Sequence, residues 1–226
     1  MRKTVQVAID GPGGAGKSTL ARAAARECGL HYVDTGAMYR ALALAILRSG
    51  GDVRDFAAVT ALLPEIRISL DYDAEGKQHT LLNGEDVSHL IRTPEVSAAA
   101  SAVSALPEVR AFLLRAQQSL AEEWDVVMDG RDIGTVVLPN ADLKVFLTAT
   151  AETRAKRRWL ELQQKGVEQT YEQVLAEMNE RDTRDSTRAA APLRPAEDSV
   201  LLDTTELTEA EAIAALRKLI RERVGR

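Results

Sequence analysis

A chain of 226 residues, 45% apolar and 28% charged, suits one large domain or two modest ones and is too apolar for a disordered segment. No apolar run approaches the ~18 residues of a membrane span, and a net charge of −5 argues against nucleic acid as a partner. The lone Cys28 allows no internal disulfide and favours a reducing cytoplasm, and histidines at 31, 79 and 89 lack zinc-ligand spacing.

"MRKTVQVAID" begins with a basic pair, but its apolar part is too short for a secretory signal; residues 4–10 read as a first strand. Residues 17–28 read as a helix ended by Gly29. "HYVD" is a second strand, after which Asp34 or Thr35 caps the helix "AMYRALALAILRS". Asp55 caps a short helix to Leu63, closed by Pro64. The period then changes. "IRISLDY" and "KQHTLLN" alternate apolar and polar residues around the turn signal "DAEG", which predicts a hairpin, with "NGEDVS" as a further short strand or turn.

Pro94 and Pro107 each sit at the first position of a helix, the second running to about Glu122. "DVVMDG" and "DLKVFLTAT" are buried strands. Residues 151–165 form a charged helix ended by Gly166, and Thr170 with Gln173 makes a capping box for another. "SVLLDTT" is a fifth core strand, and Thr208 with Glu211 caps the last helix. Strands alternating with helices predict an α/β fold, a parallel sheet wrapped by helices.

"GPGGAGKS" (11–18) matches G-x-x-x-x-G-K-[ST] and lies directly after a strand and at the start of a helix. Its glycines let backbone N–H groups turn inward around an anion, aided by the helix N-terminus. Lys17 supplies an ammonium for β- and γ-phosphates, and Ser18 a hydroxyl for Mg²⁺. The segment therefore predicts a nucleoside triphosphate site formed by Gly11, Pro12, Gly13, Gly14, Ala15, Gly16, Lys17, Ser18 and Thr19. No asparagine begins the N-K-x-D motif of a GTPase, and "VVMDGRD" lacks the Asp-Glu ending of transport ATPases. It instead puts Arg131 at the carboxyl end of a strand, where open α/β sheets bind ligands.

In "NERDTRDSTR" (179–188), helical spacing places Arg181, Arg184, Asp185 and Arg188 on one face. That stripe reads either as a solvated, ion-paired helix or as a phosphate-gripping lid.

Together, "IDGPGGAGKST", "DTGAMYRALA", "DGRDIGTVV", "KVFLTATAETRAKRR" and "ERDTRDSTRAAAPL" resemble the bacterial cytidylate kinases, in order over nearly the whole chain. The resemblance implies a P-loop three-layer fold with a five-stranded parallel sheet, an inserted small antiparallel sheet and a helical lid. It implies a single domain, with a core of about 1–63, 93–150 and 189–226, a monophosphate-side insert of about 64–92, and a lid of about 151–188. The implied reaction is transfer from ATP to CMP or dCMP, with Mg²⁺, by a cytoplasmic monomer. An acceptor phosphate is largely ionised at pH 7, its second pKa being about 6, so no general base is required. Positioning and charge neutralisation suffice, which calls for arginines.

By matched position, Lys17, Arg131, Arg181 and Arg188 are the expected catalytic groups, and Arg40 joins Arg131 and Arg188 on the acceptor phosphate. Arg181 and Asp185 match positions that face the ribose, and Ser101, Arg110 and Asp132 match positions that read cytosine. Thr35 belongs to the same site. Asp129 either acts through water on Mg²⁺ or orients its neighbours. The residues alone leave plainer alternatives: Arg40 and Arg110 solvated, Ser101 a small packing residue, Asp132 an orienter of Arg131, Asp185 an ion-pair partner of Arg181. Arg157 or Arg158 is a candidate for ATP phosphates, and Trp124 and Trp159 read as packing residues. Rival functions are another small-molecule P-loop kinase, of UMP or shikimate type, and a non-catalytic ATP-binding switch.

Overall fold

The run Val7–Ala8–Ile9 is apolar at every position because its strand is covered on both faces, and all three residues are fully buried. This strand, β1 (Gln6–Asp10), is the centre of a five-stranded sheet whose pairings are all parallel. It begins two residues later than expected, because Thr4 Oγ1 donates to Ala121 O (2.6 Å) and Val5 N–H to Asp125 Oδ1 (2.7 Å).

The computed structural model describes residues 4–225. After β1 come α1 (Lys17–Cys28), β2 (His31–Asp34), α2 (Thr35–Arg48) and α3 (Phe56–Leu62). The strands β3 (Ile68–Tyr72), β4 (Gln78–Leu82) and β5 (Glu85–Asp86) follow, then α4 (Pro94–Val103) and α5 (Pro107–Glu123). The chain ends with β6 (Val126–Gly130), β7 (Leu143–Thr148), α6 (Ala151–Gln164), α7 (Tyr171–Thr187), β8 (Val200–Asp203) and α8 (Glu209–Val224).

Sheet order is β2-β6-β1-β7-β8. The chain leaves β1 towards β2 and leaves β6 towards β7, so connections from two adjacent strands part at their carboxyl ends and open a crevice. α1 and α8 cover one region through Leu20, Ala24, Leu216 and Ile220, while α2, α4 and α5 build another around Leu42, Ile46, Val103 and Leu113. No single helix among the described residues is long and apolar enough to cross a membrane. The apolar pair α4 and α5 bends by 102° and buries Val96, Val103, Val109 and Leu113.

The expected hairpin is present as a separate antiparallel sheet, β3-β4-β5, with Ile68 opposite Leu82 and Tyr72 opposite Gln78. Its apolar face packs on α2 through Leu82 and Val87. It also covers β2, the edge strand of the main sheet, whose free backbone groups need partners. Tyr72 OH donates to Tyr32 O (2.9 Å), and Gln78 Oε1 accepts from Asp34 N–H (2.8 Å).

Capping follows the sequence closely. Asp34, rather than Thr35, caps α2 by accepting from Ala37 N–H, and both predicted capping boxes form. Helices α6 and α7 bury a small cluster of their own, Ala155, Leu162, Val174 and Met178. α7 ends at Thr187, and Arg188 follows it in extended backbone (φ −60°, ψ 141°), so helical spacing does not set its direction. A π-helical turn at Ile133–Val137 had no signature in the sequence.

Candidate active site

The glycine-rich loop lies directly against β7. Gly11 has φ +150°, and a Cβ there would sit 1.9 Å from Leu147 O, so no side chain is accommodated. Gly16, left-handed at φ 87°, precedes α1 and supplies no capping side chain, and the first turn contains no acidic residue. The N–H groups at this helix start therefore remain available for an anion. Lys17 Nζ folds back onto Pro12 O (2.7 Å). Burial, and next the charge of Arg131, push its pKa well below the usual lysine value.

Beside the loop opens a cavity of about 480 Å³, lined from the carboxyl ends of β2 and β6 and from α2, α4, α5 and α7. Asp129 Oδ2 accepts from Ser18 Oγ (3.0 Å) and Oδ1 from Tyr32 OH (2.9 Å). Burial, then the nearby Asp34 charge, raise the Asp129 pKa to about 6. Thr35 Oγ1 donates to the Asp129 carbonyl (2.8 Å), tying the start of α2 to the end of β6.

Four arginines converge on this space from separate elements. Arg40, on α2, donates to Asp34 Oδ2 at 2.9 Å, but its buried Nε has no hydrogen-bond partner. Arg131 Nε donates to Asp185 Oδ2 (3.0 Å), and Arg181 Nε lies 3.9 Å from the same oxygen. Repulsion from Arg131, and next burial, bring the Arg181 pKa down to about 10. Arg188 donates from Nε to Ala191 O (2.7 Å), while its buried Nη2 has no hydrogen-bond partner and lies 3.9 Å from Asp132 Oδ1. Burial and then Arg110 lower the Arg188 pKa. Basic side chains thus outnumber acidic ones around one cavity, in a chain that is acidic overall.

At the far end of the cavity, Arg110 contacts Asp132 directly, lies over the Tyr39 ring (5.7 Å to the centroid) and donates to Ser104 O. Ser101 lines the same end, where its hydroxyl accepts from Arg184 of α7 (3.2 Å). All the acceptor-side residues expected from the sequence, Thr35, Arg40, Ser101, Arg110, Asp129, Arg131, Asp132, Arg181, Asp185 and Arg188, line this one cavity. Arg184, on the predicted stripe, does not line the cavity itself; it pairs with Glu180 (2.6 Å) and donates to Ser101, which does.

Two supporting residues, Arg154 and Asp10, were not singled out from the sequence, whereas Arg157 was a candidate for ATP phosphates. Arg154, buried among the basic run of α6, donates to Gly13 O (3.0 Å) and Ala149 O and pairs with Asp182 (2.7 Å), so it joins α6 and α7 to the loop. Nothing in "RAKRR" distinguishes it from its neighbours. Arg157 donates to Thr204 O (2.6 Å) and also borders a second cavity of about 580 Å³, on the α8 side of the loop. Asp10, the last residue of β1, accepts from Ile133 N–H and Gly134 N–H, both at 2.7 Å, and so holds the π-helical turn. The signal for Asp10 was its place at the end of an apolar strand, next to the glycine loop.

Asp10→Ala strands two buried N–H groups and is expected to cost about 2 kcal/mol of unfolding free energy in a urea titration. Burial raises the Asp10 pKa to about 6. The folded state therefore holds the Asp10 proton more tightly than the unfolded state, and this contribution to stability falls as pH rises from about 4 through 6. The alanine deficit is accordingly larger at pH 5 than at pH 7.5.

Among solved structures, shikimate kinase from Bacteroides thetaiotaomicron superposes with a TM-score of 0.50 at 14% identity, covering 98% of this chain and 99% of that one. An uncharacterized protein from Eubacterium ventriosum superposes at 0.53, also with 14% identity, over 98% of this chain and all of that one. These likenesses speak to the fold. Sequence relatives speak more narrowly. Cytidylate kinase from Caldicellulosiruptor saccharolyticus is 49% identical over 99% of this chain and 98% of its own length. The enzyme of the same name from Mycobacterium avium is 50% identical over 99% and 98%, and that from Pasteurella multocida 47% over 98% and 97%. The family model for cytidylate kinase matches residues 7–222, a span that takes in the glycine loop, the hairpin, the arginine cavity and helices α6 and α7. With nearly its full length matched at close to half identity, this chain belongs to the cytidylate kinase family.

Proposed function

We infer that the protein transfers the γ-phosphoryl group of ATP to CMP or dCMP, giving ADP and CDP or dCDP. The observation that carries this reading is the repulsion among Lys17, Arg131 and Arg181, with the unpartnered Arg40 Nε and Arg188 Nη2 beside them. Cations held together against their own repulsion await anions, and two nucleotides facing each other across the loop supply them.

In this reading the loop and Lys17 hold the ATP phosphates, and Arg40, Arg131 and Arg188 grip the acceptor phosphate. Arg181 spans the two. Asp185, held by Arg131, faces the ribose, and the Arg110–Asp132 pair with Ser101 reads the cytosine edge. An acceptor-side insert at 64–92 and a lid at 151–188, latched to the loop by Arg154, close over the substrates and exclude water, the competing acceptor.

Ser18 Oγ and Asp129 Oδ2 lie 3.0 Å apart beside Lys17, and hard oxygen donors of this kind suit Mg²⁺. Ser18 directly, and Asp129 through water, would hold the ion. When bound it offsets charge on the triphosphate. No cluster of three or more His, Cys, Asp or Glu among the described residues is arranged to hold a metal alone, which suits an ion that arrives with ATP.

An alcohol acceptor would call on a general base within reach of its hydroxyl. Asp34 is paired with Arg40, Asp132 with Arg110, Asp185 with Arg131 and Glu161 with Arg158, while Asp129 accepts from Ser18 and Tyr32. Each carboxylate lining the cavity thus has a cation or hydroxyl partner, and the surplus of guanidinium groups around them favours a phosphate acceptor over an alcohol.

A coupled assay of ADP release with CMP, dCMP, UMP, AMP, GMP and shikimate tests the assignment. CMP and dCMP are expected to give the highest kcat/KM, and preference for a purine monophosphate or for shikimate would refute it.

A further inference from the structure

The segment 64–92 raises a question that the cavity answers. Of all its residues, one alone lines the cavity, and that residue is Arg92. Its backbone is held on both sides. Arg92 ends a 3-10 turn (Leu90–Arg92) anchored by buried Ile91, whose N–H donates to Val87 O (3.0 Å), and Thr93 next to it caps α4.

The side chain is half exposed, and among the described residues its charge partner is Asp34 Oδ2 at 4.0 Å, too far for a hydrogen bond. That carboxylate is already engaged. Oδ2 accepts from Arg40 at 2.9 Å, and Oδ1 accepts from Ala37 N–H at 2.9 Å. Arg92 thus brings a second guanidinium to a carboxylate satisfied by its first, next to the unpartnered Arg40 Nε. The insert is also tied to this corner by Gln78 on the Asp34 backbone and by Tyr72 on Tyr32 O.

We propose that Arg92 is a further acceptor-phosphate ligand, carried by the insert, which leaves Asp34 for the monophosphate when the acceptor binds. The proposal rests on the acceptor site described above and explains what the insert brings to it: an exposed cation, loosely paired, whose backbone is anchored at the rim. Arg40 is fixed by a close hydrogen bond on α2, whereas Arg92 has slack, as a group that follows closure requires.

The test compares wild type with Arg92→Ala and Arg92→Lys in steady-state assays at several salt concentrations. Arg92→Ala is expected to raise the KM for CMP about tenfold, leave the KM for ATP within twofold, and weaken the salt dependence of the CMP KM. Arg92→Lys is expected to recover part of the loss, since a point charge replaces a fork. The ratio of kcat/KM for CMP and UMP stays constant in both variants, because the two acceptors share the phosphate that Arg92 contacts. An unchanged CMP KM overturns the proposal. So does a loss accompanied by an altered CMP-to-UMP ratio or ATP KM, which marks Arg92 as structural. If wild type itself fails to phosphorylate CMP, the acceptor-site reading is what fails. Arg92→Lys keeps the charge and bulk and serves if the alanine variant does not fold.

Discussion

Arg188→Ala is expected to lower kcat with CMP by about 10³-fold while moving the thermal unfolding midpoint little. The size of the loss follows from where the guanidinium sits. It is 6% exposed, its Nη2 has no hydrogen-bond partner, and Asp132, the nearest carboxylate, is already in contact with Arg110. A cation that shares Asp132 with Arg110 has its charge only partly compensated until a phosphate arrives, so much of its attraction is expressed towards the bound and reacting anion. Stability depends on it far less. Burial already disfavours its charge, and the truncation removes one hydrogen bond, to Ala191 O. Arg188→Lys should restore only part of the activity, because an ammonium lacks the fork that grips two phosphate oxygens. Steady-state rates and a melting curve on the same preparations decide it. Unchanged turnover defeats the role.

Lys17→Met should reduce kcat/KM for ATP by a similar factor, about 10³, and abolish the rise in melting temperature that ATP produces in wild type. Without nucleotide, the variant should melt no lower than wild type. Lys17 is buried and faces Arg131, so its charge opposes folding, and the hydrogen bond to Pro12 O offsets only about 1 kcal/mol of that cost. The sign can be checked with pH. A lysine whose folded pKa lies below its unfolded 10.5 releases its proton first in the native state, so stability rises as pH climbs through the interval between the two values. Ligand-free wild type should therefore gain stability at alkaline pH relative to the methionine variant. A variant that melts well below wild type at pH 7 would show that the lysine supports the fold rather than loading it.

The second cavity, between the loop and α8, adds weight to the division of labour around Lys17. It shares Gly14, Gly16, Thr19 and Glu161 with the arginine-rich cavity and is completed by Ala15, Leu20, Arg157, Arg158, the loop after β8 and the start of α8. Two chambers meeting at one glycine loop suit the in-line transfer proposed above, one chamber for each nucleotide.

The glycine loop was legible because its chemistry is local: a strand, a tight turn and a helix start are consecutive in the chain, and the spacing of Gly11, Gly16, Lys17 and Ser18 carries the geometry. The hairpin was legible because two alternating runs flank a turn signal, and the caps at Thr170 and Thr208 because a capping box spans only four residues. Arg131 could be placed at the mouth of the sheet for a similar reason, since it follows a buried strand directly.

Arg154 and Asp10 could not be weighted in the same way. Arg154 matters because α6 packs on the loop at Gly13, a contact 141 residues away in sequence, and Asp10 because β1 ends beside a turn 123 residues further on. The stripe 181, 184, 185, 188 was half right. Arg181 and Asp185 do face the cavity, but Arg184 turns to Glu180 and Ser101. Arg188 reaches the cavity only because the helix stops one residue before it and the chain runs on extended.

By itself, then, the sequence determined the α/β class, the triphosphate loop, the inserted hairpin and the supply of arginines, because each is written in periodicity or in short spacing along the chain. Only the tertiary structure decided which guanidinium meets which carboxylate, which cations are left without a partner, and that Arg92 is the insert's one contribution to the cavity. The physical reason is that charge balance is a property of space. A carboxylate is satisfied by whichever cation the fold brings within about 3 Å, and that choice is made by packing between elements rather than by order in the chain.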